Sequence, residues 1–89
     1  MKGYIYILKS QKNNRYYIGS TTDWKRRVDE HNTGKSTYTR ATRPWVVEYV
    51  REYQTIVDAR REEIRLKRKK SRKNIEELID SVGAHSSVG

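Results

Sequence analysis

Cysteine and phenylalanine are absent from the 89 residues of this chain, and proline occurs once. Without cysteine the chain forms neither disulfides nor thiolate metal sites, which excludes disulfide scaffolds and thiolate zinc folds. No apolar run approaches the roughly 20 residues that a membrane-spanning helix needs. An N-terminal apolar segment with a small-residue cleavage site is also missing, so we expect a cytoplasmic protein that does not bind membranes.

Acidic residues are few relative to basic ones. The chain has 11 Asp and Glu against 20 Lys and Arg, which gives a formal charge of +9. Such an excess favours a polyanionic partner, and nucleic acid is the first candidate. A chain of this length buries only about 60 to 65% of its unfolded surface, so its core is thin. We expect one domain over residues 1–82 and a flexible tail over residues 83–89.

Hydrophobic patterning predicts an α/β (α+β) fold. Residues 4–8 and 15–19 are rich in tyrosine and isoleucine, and the polar segment 11–14 between them contains two asparagines, as is typical of a β-hairpin. Thr22 or Asp23 can cap the helix that follows. The predicted elements are strands at 4–8, 15–19 and 45–50 and helices at 24–31, from near 55 and after 71. Their order, ββαβαα, indicates a small three-stranded antiparallel sheet flanked by helices.

The first predicted helix turns two polar side chains toward the protein. Trp24 and Val28 define its apolar face, and Arg27 and His31 lie within about 60° of the centre of that face. An inward cation is costly unless an anion meets it, and a phosphate group in a cleft would do so. Alternatively, Arg27 pairs with a carboxylate and His31 is a histidine favoured by the dipole at the helix C-terminus.

Periodicity in the second helix selects one of two adjacent glutamates. The apolar residues Ile56, Ala59, Ile64 and Leu66 place the apolar face near Glu63, whereas Glu62 points about 100° away toward solvent. An inward carboxylate serves either as a metal ligand or as a partner in a buried salt bridge, for which Arg27 is a candidate. Magnesium needs only one or two protein carboxylates when waters and substrate phosphate complete its coordination.

The tripeptides Tyr4-Ile5-Tyr6 and Tyr17-Ile18-Gly19, followed by Arg27, His31 and Glu63, resemble the GIY-YIG nuclease superfamily. The similarity is to its small, stand-alone branch, which is related to the N-terminal nuclease domain of the excinuclease ABC C subunit. It implies that the hydroxyls of Tyr6 and Tyr17 line the site, one acting on the attacking water and the other on phosphate. Leu66 and Lys67 follow Glu63 as in that family. Ser20 stands where excision-repair relatives have lysine, and Asn74 is the counterpart for a late asparagine.

The resemblance also implies a role for each residue of the predicted site. Glu63 would bind one Mg²⁺ or Mn²⁺ ion, Arg27 would neutralise charge on the phosphoryl group, and Tyr6, Tyr17 and His31 would place and activate water. Tyr38, in the loop before Pro44, is a weaker candidate. We expect the main five side chains to converge on one concave surface.

Basic residues beyond this site are expected to track phosphates. Residues 65–73 carry seven Lys or Arg in nine positions, although such runs are often only solvated faces. The predicted nucleic-acid-binding residues are Lys67, Arg68, Lys69, Lys70, Arg72 and Lys73, extended by Lys35, Arg40 and Arg43.

The sequence therefore predicts a metal-dependent endonuclease that hydrolyses phosphodiester bonds, in DNA rather than RNA, with a role in DNA repair or recombination. We expect a monomer or a weak dimer. The first alternative is a non-catalytic nucleic-acid-binding module with the same fold. The second, with less support, is a basic accessory protein that docks on an acidic partner. The full set of site residues favours the enzyme, because a module that only binds has no need of a carboxylate beside phosphate.

Overall fold

A computed structural model describes residues 1–35, 39–69 and 72–88. Three antiparallel strands form a sheet in the order β2-β1-β3, with three α-helices around it. This architecture confirms the predicted fold class and the element order ββαβαα. The elements are β1 (Gly3–Ser10), β2 (Tyr16–Thr21), α1 (Trp24–Thr33), a 3₁₀ helix (Arg40–Thr42), β3 (Trp45–Tyr53), α2 (Ile56–Lys69) and α3 (Arg72–Val88).

The central strand β1 supplies both faces of the sheet with apolar side chains. Successive residues of a strand point to opposite faces, so a strand covered on both sides is apolar throughout. Ile5 and Ile7 pack with Ile18 against Ala59 and Leu66 of α2, and α3 adds further apolar contacts to that side. The opposite side has its own cluster, formed by Tyr6, Leu8 and Trp45 and covered by Tyr17, Trp24, Val28, Val47 and Val50. We call these two sides the α2 face and the α1 face.

Helix α1 is held at both ends by local interactions. The side chain of Asp23 accepts a hydrogen bond from the backbone of Arg26, so Asp23 is the N-cap. Gly34 ends the helix in the left-handed conformation, with φ of 85°, and its N–H donates to the Glu30 carbonyl. The helix therefore runs two residues past His31, where we had predicted its end, because Gly34 supplies the stop.

Strand β3 is longer than predicted and continues to Tyr53. Its last residues pair with the start of β1, Gly3 with Tyr53 and Ile5 with Arg51, so tertiary pairing extends a segment whose charged residues gave no strand signal. The boundary that we place between domain and tail lies inside α3 and stays a prediction. No helix of the described ranges is long and apolar enough to cross a membrane.

Candidate active site

Tyr6 belongs to the central strand β1, and its side chain extends over the edge strand β2. It pairs with Gly19 of β2, and a Cβ atom added at Gly19 would overlap the Tyr6 hydroxyl. The missing side chain thus makes room for the phenol, which is 1% exposed. This close approach is the physical reason for glycine at the end of the second tyrosine motif.

Tyr6 belongs to a buried group of polar side chains on the α1 face. Its hydroxyl lies 3.3 Å from Nε2 of His31, and Nδ1 of the same ring lies 2.6 Å from the hydroxyl of Thr39. His31 and Thr39 are both 0% exposed. The indole N–H of Trp45 donates to the Thr39 carbonyl at 3.0 Å. These contacts join β1, α1, the segment after residue 38 and β3.

Tyr17 joins this group through its ring. The Tyr17 and His31 ring centroids are 4.8 Å apart, and those of Tyr17 and Tyr6 are 6.2 Å apart. Tyr17 is half-buried, unlike Tyr6. Of the two tyrosines from the sequence motifs, Tyr17 is thus the one with access to a bound substrate.

Burial controls the protonation of the group. It raises the pKa of Tyr6 to about 12, with a further increase from neighbouring Tyr17, while Arg27 opposes the rise. The pKa of His31 is lowered, first by burial and then by the positive charge of Arg27, while Glu30 opposes the drop. At neutral pH both side chains are therefore uncharged, and their hydrogen bonds are between neutral groups.

Arg27 lies at the border of the α1 face. Its guanidinium donates to Glu30, one turn along the helix, at 2.7 Å, and its positive charge opposes the rise in the pKa of Tyr6. The carboxylate partner considered for Arg27 is therefore Glu30 and not Glu63. Arg27 remains half-buried, so one side of the guanidinium is turned to solvent.

Glu63 lies on the other side of the edge strand. Its Oε1 accepts a short hydrogen bond from Ser20, and its Oε2 accepts from the Lys67 ammonium at 2.6 Å. Ser20 shares the α2 face with Ile18, two residues earlier in β2. Glu62 pairs instead with Arg65. The choice of Glu63 as the more inward carboxylate agrees with these contacts, while its partners were not predicted.

The structure thus divides the five residues that we expected on one surface. Tyr6, Tyr17, Arg27 and His31 lie on the α1 face, and Glu63 lies on the α2 face. Between the two sets, an open groove with a volume of about 390 Å³ is lined by Tyr16, Tyr17 and Ile18 of β2 and by Lys67, the partner of Glu63. The negative charge of Glu63 is near enough to raise the pKa of Tyr6 as a minor cause. The site wraps around a strand edge.

Glu63 is the one predicted metal ligand. Within the described parts of the chain, no three His, Asp or Glu side chains form a cluster that could hold a metal ion. A single carboxylate beside the Ser20 hydroxyl still fits Mg²⁺ or Mn²⁺, since these ions take oxygen ligands and complete their shell with water and substrate phosphate. The donor set suits a hard cation that arrives with nucleic acid.

The predicted basic residues do not form one patch. Lys67 pairs with Glu63, while Arg72 stacks on Tyr16 at 4.7 Å and donates to the Asn14 carbonyl at 2.8 Å. Both therefore have structural partners. Arg40 and Arg43 lie beside Gly34 at the end of α1, on the side of the sheet opposite α2. All the predicted basic residues that the structure describes are exposed: Lys35, Arg40, Arg43, Lys67, Arg68, Lys69, Arg72 and Lys73. Tyr38 and Lys70 lie outside the described residues.

Sequence reasoning missed two side chains of the site, Ser20 and Thr39. Ser20 follows the second tyrosine motif directly, and strand alternation would have placed it on the face of Ile18, which was a usable signal. Thr39 stands eight residues after His31 with no periodicity between them, so nothing in the sequence pointed to their contact.

Comparisons with known proteins agree with this fold. Residues 2–76 match the GIY-YIG catalytic domain. A UPF0213 protein of Streptococcus pneumoniae serotype 4 is 43% identical over 70 residues, covering 78% of this chain and 70% of its own. One from Staphylococcus haemolyticus is 39% identical over 80 residues, covering 85% of this chain and 96% of its own.

A solved structure is similar as well. The solution NMR structure of the UPF0213 protein BH0048 from Bacillus halodurans superposes with a TM-score of 0.57 at 33% identity, covering 90% of this chain and 84% of that one. The match to a catalytic domain implies a nuclease-like function, while the names of the UPF0213 relatives state no activity. This chain belongs to the GIY-YIG family.

Proposed function

We propose that this protein is a metal-dependent endonuclease that hydrolyses phosphodiester bonds in nucleic acid, DNA rather than RNA. One observation carries the proposal: the groove at the edge of β2 is lined by Tyr17 on one side and by Lys67, the partner of Glu63, on the other. A phosphate in that groove would lie between Tyr17, whose ring packs against His31, and the Lys67–Glu63 ion pair. The charge of +9 attracts such a polyanion.

Arg27 supplies the positive charge. Its guanidinium is fixed by Glu30 and keeps an accessible side, so it can donate to two phosphate oxygens as negative charge develops on them. The Arg27–Glu30 ion pair also holds the helix side chain in one orientation before substrate binds. This is preorganisation, which costs no rearrangement during the reaction.

The neutral tyrosine and histidine side chains on the α1 face accept the proton that the attacking water loses. Tyr17 lines the groove and positions the attacking water. Tyr6, with its pKa near 12, stays protonated, so it is a poor base by itself. His31 is neutral, and its Nε2 can accept a proton from the Tyr6 hydroxyl once substrate binding brings water to that side chain, which is 1% exposed in the free protein. His31 is therefore the final proton acceptor in this proposal.

Glu63 would hold the metal ion, with Ser20 fixing one carboxylate oxygen. A bound Mg²⁺ or Mn²⁺ supplies a Lewis acid for the phosphate and the leaving oxygen. The Lys67 ammonium now occupies the other oxygen, at 2.6 Å. It has to give way before that oxygen can bind a cation.

That same contact supports a second candidate function, a nucleic-acid-binding module without catalysis. Both oxygens of Glu63 are engaged by groups of the chain itself, so the carboxylate is also explained as a structural link between β2 and α2. In such a module the buried tyrosine and histidine group would serve only as core.

A cleavage assay separates the two functions. Supercoiled, single-stranded and branched DNA and a matched RNA are incubated with the protein and Mg²⁺ or Mn²⁺, with and without chelator. We expect chelator-sensitive cleavage that Glu63→Ala abolishes, while DNA binding is kept because a negative charge near phosphate is removed. Glu62→Ala, which loses only the Arg65 pair, is the matched control and should cleave normally. Binding without cleavage by the wild type would establish the second function.

A further inference from the structure

Thr39 is the least expected member of the buried group. Its side chain is 0% exposed, and its hydroxyl lies 2.6 Å from Nδ1 of His31. The backbone of Thr39 is fixed by three more contacts, since its carbonyl accepts from the Trp45 indole at 3.0 Å, from the Thr42 backbone N–H at 3.2 Å and from the Thr42 hydroxyl at 3.3 Å. Thr39 is thus held against the imidazole by β3 and the 3₁₀ helix.

The direction of the hydrogen bonds follows from the donors available. Arg27 lies near enough to Tyr6 to oppose the rise in the pKa of Tyr6, and its positive charge attracts the phenol oxygen and repels the phenol proton. The phenol has one proton of its own, and Nε2 of His31 is the ring atom within reach at 3.3 Å. Nε2 therefore accepts from Tyr6. A neutral imidazole has one N–H, which then resides on Nδ1 and donates to Thr39.

We infer that Thr39 is a positioning residue: its hydroxyl accepts the Nδ1–H of His31 and so keeps Nε2 unprotonated and aimed at Tyr6. The consequence for cleavage rests on the proposed function, since Nε2 is the atom that receives the proton there. The ring state itself is independent of any activity. A histidine whose other nitrogen is fixed by a partner in this way presents a single tautomer to its site.

Within the described residues, no charged side chain is hydrogen-bonded to either ring nitrogen of His31, whose partners are the hydroxyls of Tyr6 and Thr39. Arg27 and Glu30 belong to the same helix, and Tyr6 and Tyr17 face the ring from β1 and β2. Thr39 and Trp45, on the remaining side, carry no titratable group. The tautomer is thus set by hydrogen bonds, which a single hydroxyl can alter.

The test uses NMR of ¹⁵N-labelled full-length protein. Long-range ¹H–¹⁵N spectra report which ring nitrogen of His31 carries the proton, and a pH series gives its pKa. His31→Gln identifies the resonances, because the chain has one other histidine. We expect the wild type to hold the proton on Nδ1. A proton on Nε2 in the wild type would overturn the inference without any variant.

Three variants isolate the hydroxyl. Thr39→Val keeps the branched shape and should give a mixture of tautomers and a His31 pKa lower still, because the imidazolium needs an acceptor at Nδ1. Thr39→Ser should restore both properties. Thr42→Val, which removes a neighbouring hydroxyl that does not touch His31, should change neither. An unchanged ring in Thr39→Val, or a serine variant that behaves like the valine one, would show that the hydroxyl does not position His31.

Cleavage adds a separate readout. Partners that orient a functional histidine typically contribute about 10- to 100-fold to activity, so Thr39→Val should lose that much in kcat, with little change in KM. Thr39→Ser should recover most of it. If the wild type does not cleave, the proposed function fails while the NMR result still decides the role of Thr39. If Thr39→Val does not fold, the wild-type tautomer and the serine variant still decide it.

Discussion

The polar side chains on the two faces of the sheet differ in burial and in charge. On the α1 face, Tyr6, His31 and Thr39 form a buried chain of hydrogen bonds between neutral groups. On the α2 face, Glu63 and Lys67 form a partly exposed ion pair, and Ser20 donates to the same carboxylate. Neutral buried groups are suited to holding a proton in a defined place, whereas an exposed ion pair exchanges its partner readily. In the proposed mechanism, the groups that take the proton and the carboxylate that binds the cation are thus separated by one strand.

The largest effect on the cleavage rate is expected from a change in Arg27, which would bind the phosphate on the α1 face. Arg27→Lys keeps the charge but loses the planar pair of donors, so we expect cleavage to fall about 100- to 1000-fold, with a smaller effect on binding. Arg26→Lys is the matched control, because Arg26 also pairs with Glu30 but is exposed. Single-turnover rates should distinguish the two. Equal rates for both variants would remove Arg27 from the site.

Gly19 and Ser20 are adjacent in β2 and point to opposite faces of the sheet, so each substitution tests one face. Gly19→Ala places a methyl group against the Tyr6 hydroxyl and should destabilise the protein by about 1 to 3 kcal/mol and displace Tyr6 from His31. Ser20→Ala should cost only about 0.5 to 1.5 kcal/mol, since it removes a single hydrogen bond from Glu63. Urea unfolding measures both free energies. A larger cost for Ser20→Ala would reverse the proposed contrast between the faces.

The neutral state of His31 makes the α1 face sensitive to acid. An unfolded histidine binds a proton near pH 6.5, whereas the folded pKa is lower. The unfolded state therefore takes up more protons as the pH falls below about 6.5, and stability declines until the folded pKa is passed. The loss reaches about 1.4 kcal/mol for each unit of pKa difference.

Denaturation at pH 7.5 and pH 5 measures this effect, above the range in which the carboxylates titrate. His31→Gln should lose the pH dependence, and His85→Gln, which replaces the other histidine, should keep it. If both variants keep the full dependence, His31 is not the group that couples stability to pH.

The smallest effect is expected on the α2 face. Lys67→Met removes the ammonium from Glu63 and should tighten binding of Mn²⁺ about two- to fivefold, the range typical of exposed ion pairs. Arg65→Met removes the equivalent partner of Glu62 and serves as control. Titration calorimetry with the metal alone measures both. Weaker metal binding by Lys67→Met would mean that Lys67 supports the site and does not compete with the cation.

Local signals predicted the elements well. The N-cap at Asp23 and the alternating strands of the hairpin depend on residues close in the chain, and sequence contains that information directly. Helical periodicity also selected Glu63 over Glu62. The strand was predicted to end at Val50, because the residues after it have a weak strand propensity. Pairing with β1 overrides that propensity and extends the strand.

The site was harder to predict because it depends on how elements pack. Periodicity tells which side of a helix is inward, but it does not tell that α1 and α2 cover opposite faces of the sheet. A single concave surface was therefore expected where the structure has a site around a strand edge. The contact of Thr39 with His31 depends on the course of a loop, which no propensity describes.

The hydrogen bond between Arg72 and Asn14 can form only late in the synthesis of the chain. Its guanidinium holds the Asn14 carbonyl at the tip of the hairpin across 58 positions of sequence, and Asn14 itself has a positive φ of 61°. A ribosome adding about 5 to 20 residues per second needs about 3 to 12 s to reach Arg72 after Asn14. During synthesis, the hydrogen bond that holds the hairpin tip therefore cannot form until Arg72, the first residue of α3, has been added.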